Sequence, residues 1–274
     1  MFKMDRQLTR LSLAIVLCLL LVAVSAVSST PMAVGNVRGY SSNPGDVPIL
    51  NYHKVDNFHH ALSIPPNEFE EQIKYLYESG YNTISPDQLM AYLKYGAALP
   101  ENPILITFDD GYLDNFTNAY PILQKYGYTA TIFLVTNLVG HDQRFLTWDQ
   151  VRQMDKDGFV FGSHTANHIP LTQVDSQKIV NELNQSSEEI SHQLGKPPKY
   201  FAYPTGVYNA ETEELVAKTG YTAAFTIRYG RVNSTSNLYA LERIPLFKGQ
   251  RTFQSFFIRL NCAPLLERFG VIRN

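Results

Sequence analysis

Ile104-Leu105-Ile106-Thr107-Phe108-Asp109-Asp110-Gly111 is a strand-length run that stops abruptly on two adjacent carboxylates and a glycine. Such a run, apolar on both alternating faces, suits a parallel strand buried between layers. Working outward, runs of the same kind lie at Val47–Tyr52, Tyr81–Ile84, Thr129–Val135, Phe159–Phe161, Tyr200–Tyr203 and Tyr221–Thr226. Between them are amphipathic stretches with readable ends. Phe69, Ile73, Leu76 and Tyr77 share one helical face, and Ile179, Leu183, Ile190 and Leu194 stripe another. Ser85-Pro86-Asp87-Gln88 and Thr147-Trp148-Asp149-Gln150 are capping boxes. Gly80, Gly127, Gly158 and Gly220 each fall after a helix and before a strand, where a left-handed C-cap belongs. The alternation makes an α/β chain of about seven βα units in a single catalytic domain. No Gly-rich phosphate loop follows any strand, so a distorted (β/α) barrel is expected over a doubly wound nucleotide-binding sheet.

Composition excludes several functions. Of the 274 residues, 45% are apolar and 18% charged, a globular balance with a substantial core. The net charge of −2 and the lack of a basic stripe argue against nucleic-acid binding. Lys3, Arg6 and Arg10 precede an apolar run from Leu11 to Val27, with Val24-Ser25-Ala26 as a small-residue cleavage site. Residues 1–27 therefore read as a signal peptide, or as an N-terminal membrane anchor if uncleaved. The chain is expected to be exported: secreted, envelope-associated or anchored. Residues 28–46, rich in Ser, Gly, Pro and Asn, read as a linker, and 47–274 as the catalytic domain. Beyond Cys18 only Cys262 remains, so no intrachain disulfide or Cys-based metal site is expected.

In a parallel barrel, chemistry collects just past the C-terminal strand ends. His53 follows Val47–Tyr52, Asp109 and Asp110 follow Ile104–Phe108, and His164 follows Phe159–Phe161 with His168 four residues on. Alone, Asp-Asp-Gly reads as a turn and His-x-x-x-His as a surface pair. Converging on one rim, they make a different case. Two buried like charges need a cation, and two imidazoles with one carboxylate and an open position form a catalytic metal site.

Thr107-Phe108-Asp109-Asp110-Gly111-Tyr112 and Ser163-His164-Thr165-Ala166-Asn167-His168 resemble the first two motifs of the polysaccharide deacetylases, carbohydrate esterase family 4. The resemblance spans roughly residues 47–245. Val47–Val55, Tyr112–Phe133 and Phe201–Tyr208 look especially like the poly-N-acetylglucosamine deacetylase branch. It implies a distorted (β/α) barrel and removal of N-acetyl groups from a GlcNAc-containing exopolysaccharide, peptidoglycan or chitin-like polymer. It implies Asp109 as general base, and Asp110, His164 and His168 as ligands of a divalent metal: zinc, with cobalt or nickel as alternatives. A general acid must also protonate the departing amine.

Three departures matter. No histidine follows His192, Trp148 is the only tryptophan, and Ala202 stands where the third motif carries Arg. The branch resemblance assigns the acid role to His53 of Asn51-Tyr52-His53. Arg243 in Leu241-Glu242-Arg243-Ile244 either orients Asp109 in place of the missing Arg or simply pairs with Glu242. Tyr203, Pro204, Thr205 and Gly206 are expected to shape the oxyanion and acetyl pocket, unless Pro204-x-Gly206 is only a turn. An O-acetyl esterase, a silent wall-binding module of the same fold and a two-His, one-carboxylate iron oxygenase are the competing readings. The last is disfavoured, because Asp110 lies far upstream on a different strand from His164.

Overall fold

The computed structural model describes residues 40–41, 45–58, 60–248 and 252–262. The strands are β1 (Tyr40–Ser41), β2 (Ile49–Tyr52), β3 (Asn82–Thr83), β4 (Leu99–Pro100), β5 (Pro103–Phe108), β6 (Thr131–Leu134), β7 (Val160–Ser163), β8 (Tyr200–Ala202), β9 (Ala223–Tyr229) and β10 (Leu241–Pro245). Seven of them, β2 and β5 through β10, pair side by side in parallel. β2 pairs with both β5 and β10, which closes the sheet into a barrel. The expected (β/α) barrel of seven strands is the observed fold.

Two strands differ from expectation. The Tyr81–Ile84 run forms only the two-residue β3, which pairs with Pro103 and Ile104 at the base of β5. β6 does not meet β5 until Thr107, and Thr83 Oγ1 accepts the N–H of Thr129 just ahead of β6. The seventh barrel strand is β10 instead. Its sequence, Leu-Glu-Arg-Ile-Pro, breaks the apolar run because Arg243 points into the barrel. Tyr40–Ser41, expected as linker, pairs antiparallel with β4.

Alternation along the strands sorts side chains into an inner and an outer set. Ile49, Leu105, Phe133, Phe225 and Leu241 fill the lower interior, and Leu89, Met90 and Leu93 of helix Pro86–Tyr95 join the same cluster. Two residues further along β2, β5 and β10 the inner set turns polar: Asn51, Thr107 and Arg243. The outer set, with Phe201, Tyr203 and Ala224, packs on Ile179 and Leu183 of helix Ser176–Leu194 and Val216 of helix Ala210–Lys218. Both expected capping boxes form, and Gly80, Gly127, Gly158 and Gly220 all take positive φ.

Gly39–Phe253 form one compact unit. In the other, the described residues Gln254–Cys262 are helical and Cys262 is buried. The expected targeting segment 1–27 and most of the 28–46 linker lie outside the described residues. Among the described residues, no helix is long and apolar enough to cross a membrane.

Gly162 in β7 shows how tightly the interior is packed. A Cβ there would sit 2.6 Å from the Phe133 ring and 2.7 Å from the Tyr200 carbonyl. The carbonyl belongs to the sheet and has little room to yield. Gly162→Ala is expected to destabilise the fold by about 1–3 kcal/mol, read as a lower denaturant midpoint at unchanged slope.

Candidate active site

The barrel register brings the expected residues to one rim. Tyr52 is level with Phe108 and Leu134 with Ser163, so His53, Asp109 and His164 each leave the sheet at its C-terminal edge. Asp110 Oδ1 lies 3.5 Å from His164 Nε2 and 3.4 Å from His168 Nε2. One ligand atom from each of the three lies within 4.8 Å of the others. His164 is buried, and its Nδ1 lies 2.7 Å from the Ala202 carbonyl. That oxygen only accepts, so Nδ1 carries the proton and Nε2 presents its lone pair to the cluster.

Asp109 faces inward from the same strand end and is fully enclosed. Arg243 grips it with two hydrogen bonds, Nη1 to Oδ1 at 2.8 Å and Nη2 to Oδ2 at 2.7 Å. Asn51 Nδ2 donates to Oδ2 at 3.0 Å. Arg243 is in turn held by the Thr226 carbonyl and Thr107 Oγ1, with its guanidinium 5.7 Å from the Phe133 ring centroid. His53 Nε2 lies 4.0 Å from Asp109 Oδ2, and its buried Nδ1 has no hydrogen-bond partner among the described residues. Of the two geometries open to Arg243, the structure has it on Asp109; Glu242 pairs with Arg228.

The adjacent carboxylates are treated oppositely. Burial works against ionising Asp109, but the charge of Arg243 outweighs it and holds the carboxyl well below the usual range. Asp110 has no such partner. Burial, with the Asp109 charge beside it, pushes its carboxyl up to about 6. Burial also brings His164 down to about 3, so it is a neutral imidazole at any working pH. Two neutral Nε2 donors and a carboxylate whose charge is unbalanced fit a divalent cation.

The backbone around this cluster is strained. Asp110, Thr165 and His168 have φ of 74°, 67° and 57°, and non-glycine residues in such conformations cost on the order of 1–3 kcal/mol each. All three belong to the two motif segments.

The third-motif residues are less uniform than expected. The Tyr203 ring packs in the outer layer, and its hydroxyl donates to the Tyr239 carbonyl. It therefore gives this rim packing, not a polar group. Pro204 has no N–H, and the N–H groups of Tyr203 and Gly206 are bonded to the Phe225 and Tyr203 carbonyls. Thr205, exposed at φ 59°, carries the one N–H of the remaining three for which no partner stands among the described residues.

Two contacts were missed by reading the sequence. Asn51 is the one polar side chain in an otherwise apolar strand run, and that oddity signals a buried partner. Tyr112, whose phenol is pushed up to about 12 by burial and by the Asp110 charge beside it, carries no signal beyond adjacency.

A closed parallel barrel thus carries, at its C-terminal mouth, a two-His, one-Asp cluster that could hold a divalent metal, with an enclosed second Asp beside it. Comparison with known proteins agrees. Residues 96–224 match the polysaccharide deacetylase family model. The chain is 35% identical over 209 residues to YxkH of Bacillus subtilis (strain 168), whose name places it among polysaccharide deacetylases; the match covers 76% of this chain and 74% of that protein. It is 29% identical over 223 residues to the poly-beta-1,6-N-acetyl-D-glucosamine N-deacetylase of Staphylococcus aureus (strain MSSA476), covering 71% and 77%. Among solved structures, the Streptococcus pyogenes deacetylase PplD in complex with acetate superposes with TM-score 0.75 at 28% identity, over 80% of this chain and 99% of that one. IcaB from Ammonifex degensii does so at 0.67 and 25% identity, over 80% and 97%. The chain belongs to the polysaccharide deacetylase family, and it is a carbohydrate deacetylase.

Removing the cation that Asp109 faces leaves a bare buried carboxylate. Arg243→Met is expected to cost about 3–5 kcal/mol at neutral pH. Because the folded carboxyl lies below its unfolded value of about 3.9, this stabilisation is complete above that value and lost as pH falls. The gap between parent and variant should narrow in acid, as chemical denaturation across pH will show.

Metal binding should be proton-linked through Asp110. With its carboxyl raised to about 6, zinc affinity should weaken by about tenfold per pH unit below that value. Calorimetry between pH 5 and 7 reads this; a flat Kd would rule it out.

Proposed function

We propose that this chain removes N-acetyl groups from a GlcNAc-containing polysaccharide, with Asp110, His164 and His168 holding zinc, Asp109 as general base and His53 as general acid. The reading rests on one juxtaposition: an enclosed carboxylate held ionised by Arg243, with the His53 imidazole 4.0 Å from it, beside a three-ligand cluster. The names of its relatives favour a poly-GlcNAc polymer, and the leader-like sequence of residues 1–27 suits an exported enzyme.

A bound divalent cation would supply an acidified water and a Lewis acid for the acetyl carbonyl. The chain's own residues do the rest. Arg243 and Asn51 keep Asp109 ionised and fix both its oxygens, so it receives the proton of the attacking water in one defined geometry. The Thr205 N–H, which has no partner among the described residues, is our candidate donor to the oxygen that becomes negative as the carbonyl is attacked. His53, in its protonated form, gives a proton to the departing nitrogen, without which an amide anion would have to leave. The half-buried position of His53, with side-chain exposure of 13%, allows exchange with solvent between turnovers.

Acetate release from GlcNAc oligomers, with and without added zinc, tests the assignment. Asp109→Asn should lose at least about 10²-fold in kcat, as removal of a general base does; an equally active variant would refute its role. His53→Ala separates the acid from the base. Its loss should be of order 10²–10⁴-fold on the amide but small on an aryl acetate, whose leaving group needs no proton. Equal losses on both would remove His53 from the acid role, and preference for sugar O-acetates over N-acetates would point to an esterase.

A further inference from the structure

Glu182 is a wholly buried carboxylate that the chemistry above does not use. It sits in helix Ser176–Leu194, with its two oxygens on one residue of the histidine turn. Glu182 Oε2 accepts the Asn167 backbone N–H at 2.9 Å, and Oε1 accepts Asn167 Nδ2 at 2.8 Å. Lys178, one helical turn earlier, meets Oε1 at 2.9 Å. Asn167 Oδ1 in turn accepts from Asn137 Nδ2 at 2.8 Å, and Asn137 Oδ1 accepts from Gln185 of the same helix at 3.2 Å. The residue before His168 is thus tied on its backbone and at both ends of its side chain.

The two histidines depend on this turn unequally. His164 is anchored to the sheet through its backbone N–H on Leu134 and its ring on Ala202. His168 is 36% exposed, and its backbone N–H bonds within the turn, to Thr165 Oγ1. The turn itself holds two non-glycine residues at positive φ, Thr165 and His168. An unfavourable backbone persists only where its surroundings over-determine it. Here the Thr165 and Ala166 carbonyls are held by the N–H groups of Thr136 and Asn137, and Glu182 supplies the restraint from the other side.

Resting on the metal reading above, we propose that Glu182 is a positioning residue: by gripping Asn167 it fixes the Thr165–His168 turn and thereby sets His168 Nε2 against Asp110 and His164. Burial favours the neutral acid, yet Lys178 and Asn167 hold the Glu182 carboxyl below the ordinary glutamate range, so the grip is that of a charged acceptor. Its influence reaches the metal through the ligand's backbone.

The test is zinc affinity by chelator competition, which needs no substrate, alongside thermal melting of the metal-free protein. Glu182→Gln keeps the volume but turns an NH₂ group toward an Asn167 donor. Zinc Kd is expected to weaken by about 10–100-fold, the usual scale for groups that orient ligands. Saturating zinc should restore most of kcat with KM for the oligomer unchanged. Asn167→Ala should weaken zinc similarly, and the double variant should lose no more than either single change, as coupled residues do. A lowered melting temperature with zinc Kd within twofold of the parent would make Glu182 merely structural and overturn the proposal, as would additive losses in the double variant. Should Glu182→Gln fail to fold, Asn167→Ala decides alone. A parent that binds no zinc would instead overturn the metal reading itself.

Discussion

A carboxylate stays ionised inside a closed barrel only if a cation is enclosed with it, and Arg243 is that cation for Asp109. The pair lies at the level where the barrel's interior changes from packed apolar side chains to the reaction rim. Below it, Phe133 and Phe225 exclude water from the lower interior. Above it, His53, Asp110 and the histidine turn gather at the C-terminal edge of the sheet. Both Arg243 hydrogen bonds to Asp109 are made in a medium of low dielectric, where leaving either group alone costs several kcal/mol. The geometry of Asp109 is therefore as rigid as the sheet that carries it.

Rigidity at Asp109 leaves the second carboxylate exposed to the opposite force. Asp110 is one residue away, buried, and beside a charge that Arg243 already balances. Its raised affinity for protons and the neutral state of His164 describe one situation: a site short of one positive charge. The positive φ values of Asp110, Thr165 and His168 belong to the same cause. Turning side chains from separate segments toward a common point requires backbone conformations that ordinary packing would not select. The hydrogen bonds around Asn167 and Ala202 are what hold those conformations in place.

Reading the sequence recovered the barrel because fully buried parallel strands are apolar on both faces and their helices carry explicit stop and start residues. It misplaced one strand of the seven. Tyr81–Ile84 has the composition of a barrel strand but pairs only at the base of β5, whereas β10 hides behind Glu242 and Arg243. A strand whose inward residue is a cation breaks the very pattern by which strands are found. The same residue explains the uncertainty over Arg243 itself, since its partner lies 134 positions away and local sequence offers Glu242 as a nearer candidate. Tyr203 went astray for a simpler reason: residues one apart on a strand face opposite sides, and its ring belongs to the outer layer.

What the sequence determined by itself was the inventory: which acids and imidazoles stand at strand ends, and that they suit a His–His–Asp cluster with a second carboxylate beside it. These are properties of residue type and local spacing, and the motif segments carry them intact. Only the tertiary structure decided the pairings: Arg243 and Asn51 on Asp109, Ala202 on His164 and Glu182 on Asn167. It also left the Thr205 N–H without a partner among the described residues. Each of these joins side chains or carbonyls from different strands and helices. Their meeting depends on barrel closure and strand register, which no single segment encodes.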